Sequence, residues 1–391
     1  MRDVVIVSAV RSAVGRATKG TLRETRPDTL AGIVVKECVS RLKGFDLKQL
    51  GDFTLGCSFP EAEQGMNVAR VVGFYADLPY EVPAVTVNRF CSSGLQAIAQ
   101  TADRIKLGAY DAAIAGGVES MSMVPMGGNK ASANPELIRR WPESYMDMGR
   151  TAEQVATRFG ITREVQDQFA LESHMKAVAA IKAGKFKDQI VPIPTKVTEL
   201  VGGKPKQKEV VFDTDECPRP ETTLEGLAKL KPVFDPKGSV TAGNASPLND
   251  GAAAVVMMTP ELAKSYGYKP MAYMREFAVV GVPPDIMGIG PLPAVQRLLK
   301  QTGLKVEDIG LFEMNEAFAC QAAYCKRELG INPERLNVNG GAIALGHPLG
   351  CTGAKLTTQL VYEMQARKVK YGIVTMCIGG GMGAAGLYEL A

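Results

Sequence analysis

Two parts of the chain carry the same series of short apolar segments and polar turns, and this repetition limits the folds open to the sequence. Three markers recur in one order at nearly constant separation: aspartates 52 and 308 (256 residues apart), Val-Asn pairs at 87–88 and 338–339 (251) and Gly-Gly pairs at 116–117 and 379–380 (263). Such offsets indicate a duplicated α/β unit. Because helical patterns separate the strands, we expect mostly parallel sheets covered by helices on both faces.

The segment between the two copies has a different character. It begins with a methionine-rich stretch, continues through helical patterns and ends in a polar stretch with lysines at 204, 206 and 208. We interpret these lysines as an exposed hairpin or loop rather than a phosphate contact. The predicted organisation is a first half at 1–120, completed by about 250–268, a loop domain inserted at 121–249, and a second half at 269–391.

Composition excludes several classes of function. The 391 residues carry a net charge of +4, and basic and acidic residues are intermixed instead of forming the basic stripe of nucleic-acid-binding proteins. No stretch reaches the roughly 18 apolar residues of a membrane span, and the first residues lack a signal-peptide pattern. The eight cysteines show no C-x-x-C spacing. We therefore expect a reduced, cytoplasmic protein without a disulfide framework or a metal site.

Cys91 lies in "NRFCSSGLQAIA", between a strand-like segment and an amphipathic helical pattern. At a helix N-terminus, free N–H groups and the helix dipole lower the pKa of a thiol, which favours the nucleophilic thiolate. The alternative is a buried structural cysteine, since cysteine packs as a small apolar residue. This segment alone leaves both interpretations open.

The chain has only two histidines. His347 lies in the glycine-rich segment "NVNGGAIALGHPLGCTG", which predicts a loop, and a loop histidine titrates near neutral pH and can accept a thiol proton. The alternative for His347 is a surface or hydrogen-bonded structural role. His174 falls within a regular helical pattern, and we predict a structural role for it.

Two further segments carry polar groups suited to catalysis. In "VTMCIGGGMG", Cys377 ends a strand, and the glycines from Gly379 onward can aim backbone N–H groups at an oxyanion. In "EMNEAFA", Asn315 interrupts an apolar run. Its side chain suits the orientation of a water or a ring nitrogen, and a helix cap is the alternative.

Taken together, these segments resemble the thiolase family over essentially the whole chain. "NRFCSSGLQA", "TAGNAS", "NEAFA", "NVNGGAIALGHPLGCTGA" and "CIGGGMGAA" correspond to five family motifs in the family's order. The resemblance implies an α/β fold in which duplicated halves form a five-layered α-β-α-β-α core with an inserted loop domain. It also implies cleavage of a 3-ketoacyl-CoA by CoA, with no metal or redox cofactor.

The resemblance assigns roles to individual residues. It implies that Cys91 is the nucleophile, His347 the base that activates it, and Cys377 the acid and base for acetyl-CoA and CoA. Asn315 is expected to hold a water beside His347, and the N–H groups of Cys91 and Gly379 to bind the tetrahedral oxyanion. The family positions that contact CoA or the acyl chain correspond here to Ser246, Arg219, Met148, Met287, Ala317 and Phe318.

One position departs from the family's biosynthetic members. Asp147 in "DMGRTAE" stands where acetoacetyl-CoA thiolases carry a histidine. The nearby methionines form a flexible apolar surface suited to longer acyl chains. We therefore predict a degradative 3-ketoacyl-CoA thiolase of fatty acid β-oxidation, with acetyl-CoA acetyltransferase as the alternative. A ketosynthase and a catalytically silent lipid-binding protein fit less well, because Cys91, His347, Cys377 and Asn315 are all present.

The resemblance also bears on assembly. Family members imply a homodimer or homotetramer, and some associate with a hydratase/dehydrogenase partner protein. Neither a nucleic-acid partner nor a membrane span is expected.

Overall fold

Strands and helices alternate through residues 2–391, the part of the chain that a computed structural model describes. The strands are β1 (Val5–Ser12), β2 (Gly15–Arg16), β3 (Leu50–Gly56), β4 (Ala84–Val87), β5 (Ala112–Ser120), β6 (Ile190–Val191), β7 (Ile193–Val201), β8 (Lys204–Phe212), β9 (Asn249–Met258), β10 (Ala272–Gly281), β11 (Leu311–Met314), β12 (Tyr371–Ile378) and β13 (Met382–Leu390). The helices are α1 (Pro27–Ser40), α2 (Val68–Tyr75), α3 (Ser93–Lys106), α4 (Pro135–Arg140), α5 (Met148–Arg158), α6 (Arg163–Lys182), α7 (Leu224–Ala228), α8 (Pro260–Ser265), α9 (Pro291–Thr302), α10 (Ala319–Leu329), α11 (Ala342–Leu345) and α12 (Leu349–Arg367).

The main sheet contains the same topology twice. Its strand order is β11-β12-β13-β10-β1-β9-β5-β3-β4. In the first half β9 lies antiparallel between β1 and β5, and in the second half β13 lies antiparallel between β10 and β12. The next pairs, β5–β3 and β12–β11, are both parallel. The strand corresponding to β4 is reduced to one parallel bridge between Phe312 and Leu336. The duplicated unit predicted from the offsets is therefore present in the strand pairing.

The expectation of mostly parallel sheets is wrong, because the sheet is mixed. β13 follows β12 through a short glycine turn, and a strand that returns directly beside its predecessor must run antiparallel to it. β9 occupies the corresponding antiparallel position in the first half. The two halves join where β1 pairs with β10 through only two residue pairs.

The layers follow from where the apolar faces are buried. α3 and α12 lie between the two halves of the sheet, and their apolar residues share one core with β1, β5, β9, β10, β12 and β13. α1 and α2 cover the outer face of the first half, and α9 and α10 cover that of the second. The apolar face of α3, formed by Leu95, Ile98, Ala102 and Ile105, is fully buried, as the amphipathic pattern after Cys91 predicts. The expected five-layered α-β-α-β-α arrangement is confirmed.

Close contact between the two central helices depends on glycine. A β-carbon at Gly353 of α12 would overlap the backbone nitrogen of Leu95, and one at Gly94 of α3 would lie 2.8 Å from the backbone nitrogen of Ala354. Side chains at these two positions would force the helices apart. The contact lies near the N-terminal ends of both helices, where Cys91 and His347 immediately precede them.

The segment between β5 and β9 packs against both halves, because α5 and α6 share the apolar core of the second half and β6 pairs with β1. It contains α4 to α7, the short strand β6, and the antiparallel hairpin β7–β8. The lysines at 204, 206 and 208 are exposed on β8, as the prediction of a hairpin or loop required. A buried ion pair joins this segment to β1, because the Arg11 guanidinium donates to both carboxylate oxygens of Asp215 at 2.8 Å. No helix within residues 2–391 is long and apolar enough to cross a membrane.

Removing the charge of Asp215 should destabilise the fold. Both side chains of the Arg11–Asp215 pair are fully buried, so Asp215→Asn leaves an uncompensated guanidinium. We expect the free energy of unfolding, measured by urea denaturation at fixed protein concentration, to fall by about 3–5 kcal/mol. Glu209→Gln is the matched control, since its ion pair with Lys196 on the hairpin is exposed and should contribute under about 1 kcal/mol. Equal effects of the two substitutions would contradict this account.

Candidate active site

Cys91 lies in a tight turn between β4 and α3. Phe90, directly before it, has a φ of +44°, a left-handed conformation that is uncommon for a non-glycine residue. Side chains fix this strained turn: Asn88 Oδ1 accepts from the Phe90 N–H at 2.8 Å, and the hydroxyls of Ser58 and Ser93 donate to the Phe90 carbonyl at 2.8 and 2.7 Å. Strain of this kind often marks a functional site. The sequence analysis missed it, because no local motif signals a positive φ at phenylalanine.

The thiol of Cys91 is buried, and its side-chain environment differs from the sequence-based expectation. Burial raises the pKa of Cys91 to about 11, opposed by hydrogen bonds from the N–H groups of Gly379 and of Cys91 itself. The nearby Glu119 carboxylate raises the pKa further. The expected lowering at a helix start is wrong in direction, because desolvation of a thiolate outweighs the helix N-terminus here. Cys91 is therefore a protonated thiol at neutral pH and needs a base.

His347 lies between α11 and α12 and is also buried. Its backbone N–H donates to Asn249 Oδ1 at 2.8 Å, and the Lys355 ammonium, which donates to the carbonyl of Gly346 at 3.1 Å, lies nearby. Burial, reinforced by the charge of Lys355, lowers the pKa of His347 to about 3. The prediction of a loop histidine that titrates near neutral pH is therefore wrong. His347 is held as a neutral imidazole.

Hydrogen bonds define which ring nitrogen of His347 is free to act as a base. The Thr352 hydroxyl donates to the carbonyl of Pro348 at 3.1 Å, so it accepts the proton of His347 Nδ1 at 2.6 Å. Nε2 is then unprotonated and accepts from the Asn315 amide at 3.2 Å. This assignment of the tautomer follows from the direction of the chain of donors. Nε2 is the basic atom of the site.

Asn315 follows β11 and is held by its backbone, whose N–H donates to Thr375 O at 2.9 Å. The alternative of a helix cap is wrong, because α10 begins four residues later with Phe318 in the cap position. The Oδ1 atom of Asn315 is buried and accepts no hydrogen bond from the residues that the structure describes. A buried carbonyl oxygen without a protein donor suits an ordered water beside Nε2.

Cys377 is the last residue but one of β12 and is fully buried. Burial raises the pKa of its thiol well above the ordinary value, and the neighbouring Cys91 raises it further. The turn that follows requires glycine, since Gly380 and Gly381 have φ of +79° and +82° and a β-carbon at Gly381 would overlap the carbonyl of Val282. This turn places Gly379 where its N–H opposes the rise in the pKa of the Cys91 thiol.

Glu119 links the two halves behind these residues, and the sequence analysis did not identify it. Its carboxylate is fully buried and accepts from the N–H groups of Ser58 and Gly350 and from the Gln64 amide, each at 2.8 Å. Gly350 lies in the first turn of α12, where N–H groups have no partner within the helix. The carboxylate therefore fixes the start of α12 against the end of β3. A glutamate ending the otherwise apolar β5 was the available signal.

A second buried carboxylate supports the loop before His347. Glu316 accepts from the Ser173 hydroxyl at 2.6 Å, the Asn337 amide at 2.7 Å and the Ile343 N–H at 3.2 Å. Glu316 lies in the "EMNEAFA" motif next to Asn315, so two polar residues of this motif support the active site.

Three of the six residues expected to contact substrate lie together. The Ser246 N–H donates to Ala317 O at 3.0 Å, and Ala245 forms an antiparallel bridge with Phe318. The ring of Phe318 meets that of Phe234 edge-on, with centroids 6.1 Å apart. These contacts bring the three residues together beside the N-terminus of α10.

The other three expected residues are more dispersed. Met148 begins α5, and its sulfur lies close to Gly379. Met287 is almost fully buried in the core of the second half, and Arg219 is exposed. Arg219 borders a cavity of about 100 Å³ together with His174. His174 Nδ1 accepts a hydrogen bond from the Arg219 N–H at 3.2 Å. Burial lowers the pKa of His174 to about 4, so the neutral ring holds the backbone beside this cavity.

A larger cavity of about 380 Å³ opens directly onto Cys91. Its walls are formed by Phe59, Phe90, Cys91, Met126, Gly127, Glu143, Ser144, Tyr145, Met146, Asp147, Met148, Pro284, Leu349, Gly379 and Gly380. The methionine-rich segment singled out in the sequence thus contributes three of the lining side chains. Asp147 serves as the N-cap of α5, with its Oδ1 accepting from the Arg150 N–H at 2.9 Å.

Comparisons with known sequences find relatives that match this chain over essentially its full length. The family model for the N-terminal domain of thiolase matches residues 4–261, and the model for its C-terminal domain matches residues 268–390. The chain is 56% identical over 391 residues to the 3-ketoacyl-CoA thiolase of Bacillus subtilis (strain 168), which covers all of both chains. It is 47% identical over 392 residues to the peroxisomal 3-ketoacyl-CoA thiolase of Homo sapiens, covering 99% of this chain and 91% of that one.

Solved structures agree in fold over the same length. The crystal structure of the Bacillus anthracis acetyl-CoA acetyltransferase matches with a TM-score of 0.90 at 42% identity, covering 100% of this chain and 99% of the other. The dimeric peroxisomal thiolase of Saccharomyces cerevisiae matches with a TM-score of 0.90 at 39% identity, covering 100% and 98%. Both halves of the chain and all five sequence motifs are accounted for by one family. The chain belongs to the thiolase family.

Proposed function

We propose that this protein is a 3-ketoacyl-CoA thiolase of fatty acid β-oxidation. It cleaves a 3-ketoacyl-CoA with free CoA to give acetyl-CoA and an acyl-CoA shorter by two carbons. The observation that carries the proposal is the cavity over Cys91, a buried thiol that lies beside a second buried thiol, Cys377, and whose pKa the N–H of Gly379 lowers. The relatives named 3-ketoacyl-CoA thiolase, at 47–56% identity, support the choice of substrate.

The first half of the proposed reaction begins with transfer of the Cys91 proton to Nε2 of His347. The thiolate attacks the 3-keto carbon, and the resulting oxyanion is bound by the N–H groups of Cys91 and Gly379, which already face the sulfur. The bond between C2 and C3 then breaks. Its electron pair passes to the departing acetyl-CoA enolate, which takes the proton of Cys377, and the shortened acyl group remains on Cys91.

The enolate formed in this step needs its own stabilisation. His347 carries the proton on Nε2 after the first transfer, so it can donate to the thioester oxygen of the enolate. A water held by the otherwise unpartnered Oδ1 of Asn315 supplies the second donor in our proposal. Donors fixed in advance in a buried site stabilise developing charge more strongly than mobile water does.

The second half returns the protons to their starting atoms. Incoming CoA gives its thiol proton to the Cys377 thiolate, and its sulfur attacks the acyl carbon on Cys91. The bond between that carbon and the Cys91 sulfur breaks, and the sulfur regains its proton from His347. Side chains of the site and CoA thereby carry every proton that moves in the reaction. We therefore propose CoA as the co-substrate, with no further cofactor.

The same chemistry run backward makes acetyl-CoA acetyltransferase the second candidate. The match to the Bacillus anthracis acetyl-CoA acetyltransferase structure favours it. One argument against it is that Asp147 occupies the position of the histidine found in biosynthetic members. A second is the cavity over Cys91, whose volume of about 380 Å³ is within the usual range for small-molecule sites, about 300–1,000 Å³. The acyl group of acetoacetyl-CoA is small for a cavity of that size.

We also propose a homodimer or homotetramer in the cytoplasm. The described dimer of the Saccharomyces cerevisiae thiolase supports the assembly. A hydratase/dehydrogenase partner protein, known for some family members, remains part of the proposal and awaits a co-purification experiment.

Activity should extend well beyond the shortest substrate. We expect kcat/KM for thiolysis to rise as the 3-ketoacyl chain lengthens from four to about ten carbons, because each added methylene buries apolar surface in the cavity over Cys91. The measurement is the decrease in absorbance of the 3-ketoacyl-CoA–Mg²⁺ complex across a series of chain lengths. Activity confined to acetoacetyl-CoA would replace this proposal with the acetyltransferase alternative.

Substitution of the two cysteines should separate the chemical steps. Cys91→Ala removes the acyl carrier, so no acetyl group should appear on the protein after incubation with acetyl-CoA. Cys377→Ala should reduce thiolysis at least 1,000-fold but still allow slower acetylation of Cys91, because a CoA thiolate can leave without the Cys377 proton and transfer from acetyl-CoA breaks no carbon–carbon bond. Intact-protein mass spectrometry detects the acetyl group. Acetylation of Cys91→Ala, or full thiolysis by Cys377→Ala, would contradict the assigned roles.

A further inference from the structure

The cavity over Cys91 is where the structure carries information about substrate choice beyond the reaction itself. Its apolar walls come mainly from Phe59, Met126, Met146, Met148 and Leu349. These side chains belong to the loop after β3, the segment following β5 and the start of α12, and they surround the sulfur of Cys91. An acyl group attached to that sulfur has this cavity beside it.

The cavity is separate from the residues expected on the CoA side. Ser246, Ala317 and Phe318 form a different wall, near the N-terminus of α10, and none of them lines it. Met148 alone belongs to both groups, because its sulfur lies beside Gly379 at the reacting centre.

The outer part of the cavity carries two carboxylates and no cation. Glu143 and Asp147 line it, whereas no lysine, arginine or histidine does so in the part of the chain that the structure describes. Glu143 forms no ion pair within residues 2–391. Asp147 lies 3.3 Å from the guanidinium of Arg150, but that arginine points to solvent with 70% of its side chain exposed, so water screens its charge.

A carboxylate at the far end of an acyl chain is unfavourable in this cavity for two reasons. It loses hydration against methionine and phenylalanine side chains, and it meets two carboxylates of the same sign in a cavity that no basic side chain lines. A neutral chain end has neither cost and gains from apolar contact. The lining therefore distinguishes acyl chains by the charge at their far end.

We propose that the cavity over Cys91 binds the acyl tail and selects uncharged chains over chains that end in a carboxylate, with Glu143 and Asp147 as the specificity-determining residues. This inference rests on the proposed thiolysis and names the class of substrate for the same site. It assigns to the two carboxylates a role in rejecting dicarboxylic 3-ketoacyl-CoA substrates.

The test compares a neutral and an ω-carboxyl substrate of equal chain length, 3-ketohexanoyl-CoA and 3-ketoadipyl-CoA. We expect the wild-type kcat/KM to favour the neutral substrate at least 100-fold. In Glu143→Gln/Asp147→Asn this ratio should fall at least tenfold, and asparagine preserves the N-cap of α5. The wild-type ratio should also decrease between 20 and 500 mM NaCl, because salt screens the repulsion.

The control is Glu136→Gln, which removes a carboxylate from the exposed helix α4 outside the cavity. It should leave the ratio of the two substrates unchanged. Equal wild-type rates for the two substrates, or an unchanged ratio in the double variant, would overturn the inference while leaving the proposed thiolysis in place. Absence of thiolysis with both substrates in the wild-type enzyme would instead overturn the proposed function and this inference with it.

Discussion

The contact between the backbones of α3 and α12 determines where the reacting groups lie. Gly94 and Gly353 have no side chain between the two helices, so the helices approach more closely than any other residue would allow. Cys91 comes just before one helix, and His347 just before the other. A duplicated fold thereby becomes an asymmetric active site, because corresponding helix starts carry a thiol in one half and an imidazole in the other. The buried carboxylate of Glu119 fixes the start of α12 against the end of β3.

Burial explains the chemistry of the site better than the helix dipole does. Both Cys91 and His347 are neutral at pH 7, since desolvation raises the pKa of the thiol to about 11 and lowers that of the imidazole to about 3. A preformed thiolate–imidazolium pair is therefore disfavoured in the free enzyme. In this account the proton leaves Cys91 only as the substrate carbonyl arrives and the N–H of Gly379 turns to the new oxyanion. The Cys91 thiolate therefore forms only when the oxyanion donors can stabilise the transition state.

The layered α/β fold, the duplicated unit and the main candidate residues could be predicted from the sequence, because the motifs identify these residues by type and by their order along the chain. The sequence did not reveal the antiparallel positions of β9 and β13, since strand direction depends on tertiary pairing. The pKa directions of Cys91 and His347 were predicted wrongly because burial is a property of the whole fold. The left-handed Phe90 depends in part on Ser58, 32 residues away, and Glu119 binds the N–H of Gly350, 231 residues away.

The pH dependence of Cys91 alkylation in the free enzyme tests the central claim, that burial keeps the nucleophile protonated until substrate binds. The measurement is the rate of iodoacetamide labelling between pH 6 and 10, followed by mass spectrometry of the peptide that contains Cys91. Because the thiolate is the reactive form and the pKa of the thiol is about 11, the account predicts a rate that rises roughly tenfold per pH unit with no plateau. A rate that is already constant from pH 7 upward would show a preformed thiolate and contradict it.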